Sequence, residues 1–197
     1  MANFKFETTL LKDAYAITPF YAGDIRGDFI KVFEKQIYSD AGIGFKLDET
    51  FISVSAKYVI RGMHFQLRNP QAKIVSVIKG AVFDIIVDLR ADSTTYGMWQ
   101  GFDLSEDNHK ALYVPRGFAH GFMSRCDETV MLYQCDGKYN KETDTGIRYD
   151  DPDLNIIWPI DCLDKCIHSQ RDLGLMSFKE YNKNPMKLLI GREQWRV

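Results

Sequence analysis

With 197 residues, 45% of them hydrophobic and 26% charged, the chain has what one soluble globular domain needs to bury a full core. A formal net charge of −2 without a clustered basic stretch argues against nucleic-acid and membrane-surface binding. No apolar run approaches the roughly 20 residues of a membrane span, and residues 1–13 lack the apolar core of a signal peptide, so a cytoplasmic location is expected.

No repeat, linker or low-complexity run divides the chain, which reads as one domain over 1–197. KVFEKQIYSDAG (31–42) suits a short helix. The run YVIRGMHFQ that follows puts His64 and Gln66 on one face of a straight strand, with Met63 and Phe65 on the other. Strict alternation separates Arg61 from His64, unless Gly62 permits a bulge. KIVSVIKGAVFDIIVDLR (73–90) holds two β-branched runs meeting at Lys79-Gly80, the pattern of a hairpin. WQGFDLS (99–105) and KALYVP (110–115) follow, with SEDN as the turn between them. GFAHGFMSR (117–125) and TVMLYQCDGKY (129–139) are separated by Cys126-Asp127-Glu128. MSFKEYNKN (176–184) is a second candidate for a short helix. Short strands with turn signals at this spacing predict a mostly β protein, an antiparallel sandwich or barrel whose interior can hold a ligand.

Several residues could carry chemistry in such an interior. His64 is a packed histidine, a metal ligand or a base. Lys73 is a solvated strand end or a cation aimed at a carbonyl, where it would stabilise an enolate oxygen. His120 sits between glycines in PRGFAHGF, and no HxH pair accompanies it or His64. A metal site of the usual barrel type is therefore not expected. Cys126, Cys135, Cys162 and Cys166 form no CxxC pair, and Cys162, Cys166 and His168 lack a fourth ligand, so reduced thiols are the reading. Tyr133 is a core tyrosine or a proton donor. Asp172 is a surface turn residue, or a carboxylate that fixes the His64 tautomer and raises its basicity.

The motifs GDIRGDF (23–29), SVSAKYVIRGMHFQ (53–66), LYVPRGFAHGF (112–122), LYQCDGKY (132–139), YDDPDLNIIWP (149–159) and SQRD (169–172) occur in that order. With the 71–99 stretch, the set resembles the dTDP-4-dehydrorhamnose 3,5-epimerase family from about residue 20 to 172, leaving 173–197 outside. The resemblance implies an antiparallel jelly-roll, cupin-like β-sandwich barrel with short terminal helices. It implies a strand-exchanging homodimer, a nucleotide-diphospho-sugar substrate, and epimerisation without metal or organic cofactor. By the same resemblance His64 is the base, Asp172 its carboxylate partner, Tyr133 the acid on the opposite face, and Lys73 the cation at the enolate. His120 lies in the motif beside Lys73, and Arg61 and Arg26 match residues that hold the diphosphate. Gln66, Glu49 and Lys138 complete the candidate substrate-binding set.

Glu49, Phe51 and Lys138 depart from the family's usual residues, as do Asp28 and Lys31 in RGDFIK. These changes fall at positions expected near base and sugar. They keep open a CDP- or GDP-linked substrate, or inversion at C3 or C5 alone. Three rivals use the same scaffold: a ketoisomerase, a non-catalytic sugar-nucleotide binder and a metal-dependent oxygenase.

Overall fold

The computed structural model describes residues 4–161 and 163–186. Cys162 and residues 187–197, which end the segment beyond the motifs, lie outside the described residues. The chain begins with strands β1 (Lys5–Thr8), β2 (Tyr15–Thr18), β3 (Phe20–Asp24) and β4 (Gly27–Lys31), then helix α1 (Lys35–Asp40). Next come β5 (Glu49–Ser55), β6 (Ile60–Gln66), β7 (Ala72–Lys79), β8 (Ala81–Asp88) and β9 (Trp99–Ser105). Then follow β10 (Ala111–Val114), β11 (Phe118–Ser124), β12 (Thr129–Asp136) and β13 (Asp144–Gly146), and the short helices α2 (Gln170–Leu173) and α3 (Phe178–Tyr181). The strands expected between 99 and 139 are present, as are the helices expected within 31–42 and 176–184.

A six-stranded sheet in the order β1-β2-β10-β7-β12-β5 faces a five-stranded sheet in the order β13-β6-β11-β8-β9, while β3 and β4 form a hairpin of their own. From β5 to β13 the chain changes sheet at every step except β8–β9, which gives the jelly-roll, cupin-like sandwich. That alternation overturns the hairpin expected at Lys79-Gly80. β7 pairs with β10 and β12, and β8 with β9 and β11. The reason is burial on both faces. Side by side in one sheet, the two β-branched runs would share their faces with the same layers; folded over at Gly80, Val75 and Val77 meet Val82 and Ile86 across the inter-sheet core. Each such side chain contributes about 1.5–3 kcal/mol on leaving water.

Two further layers cover the sandwich. Outside the five-stranded sheet, Met63, Phe65, Ile85 and Val87 pack under Tyr149, Leu154, Trp158 and Tyr181 from the C-terminal segment. Met63 and Phe65 thus face away from His64, as the alternation predicts. Outside the six-stranded sheet, Ile17, Ile74 and Ala111 pack against Tyr38 and Phe45. Tyr38 anchors α1 there, its hydroxyl donating to the Val32 carbonyl at 2.9 Å.

The C-terminal segment is strapped down by specific bonds. Asp151 accepts from the amides of Asp153 and Leu154, and its second oxygen accepts from the Phe178 amide at 2.8 Å. The Trp158 indole donates to the Tyr149 carbonyl at 2.9 Å. Ile167 then runs alongside the start of β6, with Ile60 N donating to Ile167 O at 3.0 Å. One turn later Ser169 caps α2 by accepting from the Asp172 amide at 3.0 Å. These bonds deliver Asp172 to the sandwich.

Candidate active site

His64 owes its direction to two facing glycines. A Cβ on Gly62 would stand 2.5 Å from the Gly121 Cα, and one on Gly121 would stand 2.8 Å from the Arg61 carbonyl. Gly62 also has φ +136, a region side chains avoid. Only glycines let β6 and β11 approach this closely, and here the ladder slips. His120 pairs with His64 but Phe122 pairs with Arg61, so β6 spends three steps where β11 spends two. The irregularity foreseen at Gly62 is present, and it lets Arg61 and His64 line the same cleft.

That cleft measures about 340 Å³ and is also walled by His168, Ser169, Arg171 and Asp172. His64 Nε2 lies 2.8 Å from Asp172 Oδ1, while the Gly62 amide donates to Asp172 Oδ2 at 3.3 Å. The His64 side chain keeps 26% of its surface exposed, against 5% for Asp172, so the imidazole is reachable and the carboxylate is sealed behind it. Burial alone would raise the Asp172 pKa. The hydrogen bond and charge of His64, with the Gly62 amide and Ser169, outweigh it and hold the carboxyl below its usual range. An imidazole backed this way is held in one orientation.

The inner faces of both sheets carry the next set. The buried Tyr133 ring on β12 stacks on Phe51 of β5 at 4.7 Å, and the edge of His120 approaches it at 6.0 Å. Its hydroxyl stands 3.4 Å from the Ser53 hydroxyl, and burial pushes its pKa upward. The phenol is therefore protonated at neutral pH. His120 is buried and its Nε2 contacts Asp84 at 2.8 and 3.0 Å. Lys73, half-buried on β7, has its pKa lowered by burial, opposed by charges on Cys135, Asp144 and Asp84. Asp84 is fully buried; burial raises its pKa, opposed by His120 and Lys73.

Arg61 links the two sets, its Nε donating to Ser55 Oγ at 3.1 Å and its Nη2 to the Val54 carbonyl at 3.2 Å. Ser55 and Ser53 lie on alternate positions of β5, so polar groups run from the cleft to the phenol along one strand face.

The remaining candidates sit elsewhere. The Gln66 side-chain nitrogen donates to the carbonyls of Asn69 and Lys138 and its oxygen accepts from the Asn140 amide, clamping the loop after β12. Glu49 accepts from the Tyr139 amide at 2.6 Å. Exposed Lys138 lines a second, larger cleft of about 940 Å³ together with Lys46, Arg116 and Tyr139. Arg26 lies at the tip of the β3–β4 hairpin, exposed and ion-paired with Asp24, and does not line the His64 cleft. Among the described residues, Cys126 and Cys135 are free, and no group of three or more His, Cys, Asp and Glu is arranged to hold a metal.

Residues that sequence reasoning missed are Asp84, Ser53 and Ser169. Asp84 had a signal, a charge inside the otherwise apolar run VFDIIV. The two serines had none, since their value lies in strand facing and a helix cap.

A family model described as dTDP-4-dehydrorhamnose 3,5-epimerase matches residues 8–180, a wider span than the motifs cover. A dTDP-4-dehydrorhamnose 3,5-epimerase of Methanothermobacter thermautotrophicus is 41% identical over 95% of this chain and 100% of its own. A dTDP-4-dehydrorhamnose 3-epimerase of Streptomyces niveus is 38% identical over 76% of this chain and 73% of its own. The crystal structure of a dTDP-6-deoxy-D-glucose-3,5-epimerase from Legionella pneumophila Philadelphia 1, in complex with dTDP-4-keto-L-rhamnose, superposes with a TM-score of 0.85. It is 35% identical and covers 89% of this chain and 93% of that one.

Proposed function

The chain belongs to the dTDP-4-dehydrorhamnose 3,5-epimerase family, and from that premise we propose how its own residues invert C3 and C5 of a dTDP-linked 4-keto-6-deoxy sugar. The C4 ketone acidifies the hydrogens on its two neighbouring carbons by spreading the carbanion onto oxygen. His64, backed by Asp172, removes the proton from one ring face. The Lys73 ammonium, with His120 beside it, stabilises the enolate oxygen. Tyr133 returns a proton from the other face, because a single group would put the proton back where it came from. Both residues then exchange with solvent and are reset.

The observation that carries this reading is the 2.8 Å contact of His64 with a sealed carboxylate at the wall of an open cleft. Arg61 at the cleft rim suits the diphosphate. We place Arg26 on the same diphosphate through a homodimer. The β3–β4 hairpin projects with Ile25 fully exposed and Phe29 largely so, and the outer strand β5 exposes Ile52 and Val54. A second copy that covers both surfaces brings its own hairpin to this cleft. A cytoplasmic address is part of the reading, since a sugar nucleotide bearing a diphosphate does not cross a bilayer unaided; among the described residues no helix is long and apolar enough to cross a membrane.

Incubation with dTDP-4-keto-6-deoxyglucose in deuterium oxide tests the proposal. Deuterium entering C3 and C5 with inversion is the expected result, and His64→Ala lowers the rate at least ~10²-fold. An unchanged turnover number in that variant refutes the assignment. Similarity to a 3-epimerase favours inversion at C3 alone as the second reading, and label confined to C3 would establish it.

A further inference from the structure

Phe51 stands directly opposite Tyr133 in the β12–β5 register and stacks on it, with the ring planes 14° apart. β5 is the outermost strand of its sheet, so among the described residues no strand beyond it holds the phenol from that side. Beyond the core side chains around it, Tyr133 meets the His120 ring edge at 6.0 Å, the Ser53 hydroxyl at 3.4 Å and the Met131 sulfur at 3.7 Å. Phe51 is itself 48% exposed. Packing density does not demand an aromatic there, and an exposed edge position accepts a polar or β-branched residue more readily.

We infer that Phe51 is a positioning residue, the platform that holds the Tyr133 ring in the plane from which its proton is delivered. Conjugation keeps a phenolic O–H in the plane of its ring, so the plane decides where the proton points. Without the stack, the ring loses its support on the β5 side. The enolate then waits for its acid, and the protonated His64 exchanges with solvent and returns a deuteron to the face it came from. The base step continues, and inversion falls behind exchange. This rests on the reading of Tyr133 as the acid.

The test compares wild type with Phe51→Leu and Phe51→Tyr in deuterium oxide, reading label incorporated with retention against label incorporated with inversion at each carbon. Loss of an aromatic pair predicts about a two- to tenfold lower ratio of inversion to exchange in Phe51→Leu. Phe51→Tyr, which keeps a ring on Tyr133, should restore the ratio. A wild-type ratio in Phe51→Leu overturns the inference, as does failure of Phe51→Tyr to recover it. Wild-type protein that neither exchanges nor inverts would instead overturn the epimerase reading itself, so the two failures are separable.

Discussion

His64 and Asp172 are 108 positions apart in the chain, and their side chains meet at 2.8 Å between Nε2 and Oδ1. The meeting is built from both ends: a slip in the β6–β11 ladder turns the imidazole into the cleft, and the strap along β6 brings the carboxylate behind it. Asp172→Asn keeps the shape and removes the charge. Turnover should fall at least about tenfold with KM nearly constant, because an amide orients the ring without supporting its positive charge. The same residue links to stability. Its pKa is held below the ordinary carboxylate value, so its contribution is present above about pH 4 and is lost as pH falls through the folded value. Acid unfolding of the Asn variant should therefore be shallower in that range. Equal turnover in the two proteins would remove Asp172 from the machinery.

Asp84 gives a prediction of a different kind, on the alkaline side. Burial lowers the Lys73 pKa, and Asp84 is one of three charges opposing that fall. Asp84→Asn removes the opposition, so Lys73 should lose its proton at a lower pH. The alkaline limb of the kcat/KM profile should move towards neutrality, with a smaller effect at pH 6 than at pH 9. A limb that stays in place would mean that Lys73 is not the group titrating there.

Sequence and structure part company in instructive places. Lys73, His120 and Tyr133 are singled out by their motifs' resemblance to the family, and on regular strands alternation fixes their direction once the strand is known. Sheet membership was not legible. The β-branched runs around Gly80 have the same local pattern whether they pair with each other or face each other, and long-range burial decides. Asp172 in SQRD resembles any surface turn; its burial comes from bonds made by Asp151, Ile167 and Ser169, which no local pattern announces. The setting of Arg26 was legible only in part. Its motif is changed at Asp28 and Lys31, and within one chain it lies on an exposed hairpin, ion-paired with Asp24.

The glycine pair behind His64 should be intolerant of even one methyl group. On Gly62 the added carbon would meet backbone, the Gly121 Cα at 2.5 Å and the His120 carbonyl at 3.0 Å, neither of which can swing away as a side chain does. Overpacking of this kind costs about 3 kcal/mol, which in a chain of this size lowers Tm by roughly 6–12 °C. Differential scanning calorimetry of Gly62→Ala checks it. A Tm within 2 °C of wild type, by the same conversion under about 1 kcal/mol, would show that β6 and β11 separate easily at the slip.

His168 predicts a stability change outside the chemistry. Its ring stacks on Tyr149 with centroids 4.0 Å apart, and among the described residues neither buried ring nitrogen has a hydrogen-bond partner. Burial lowers its pKa, with Asp150 and Asp172 only partly offsetting that. A depressed histidine stabilises the fold while neutral. As pH drops below the unfolded value near 6.5, the unfolded chain takes up the proton first and stability falls. His168→Phe keeps the stack and removes both polar atoms. It should gain about 1 kcal/mol at pH 7.5, because an unsatisfied buried group no longer has to be desolvated. The gain should widen at pH 5.5, where wild type is penalised and the variant is not. Urea unfolding at the two pH values measures both quantities. Parallel pH dependence in the two proteins would mean that the imidazole is not held neutral by its surroundings.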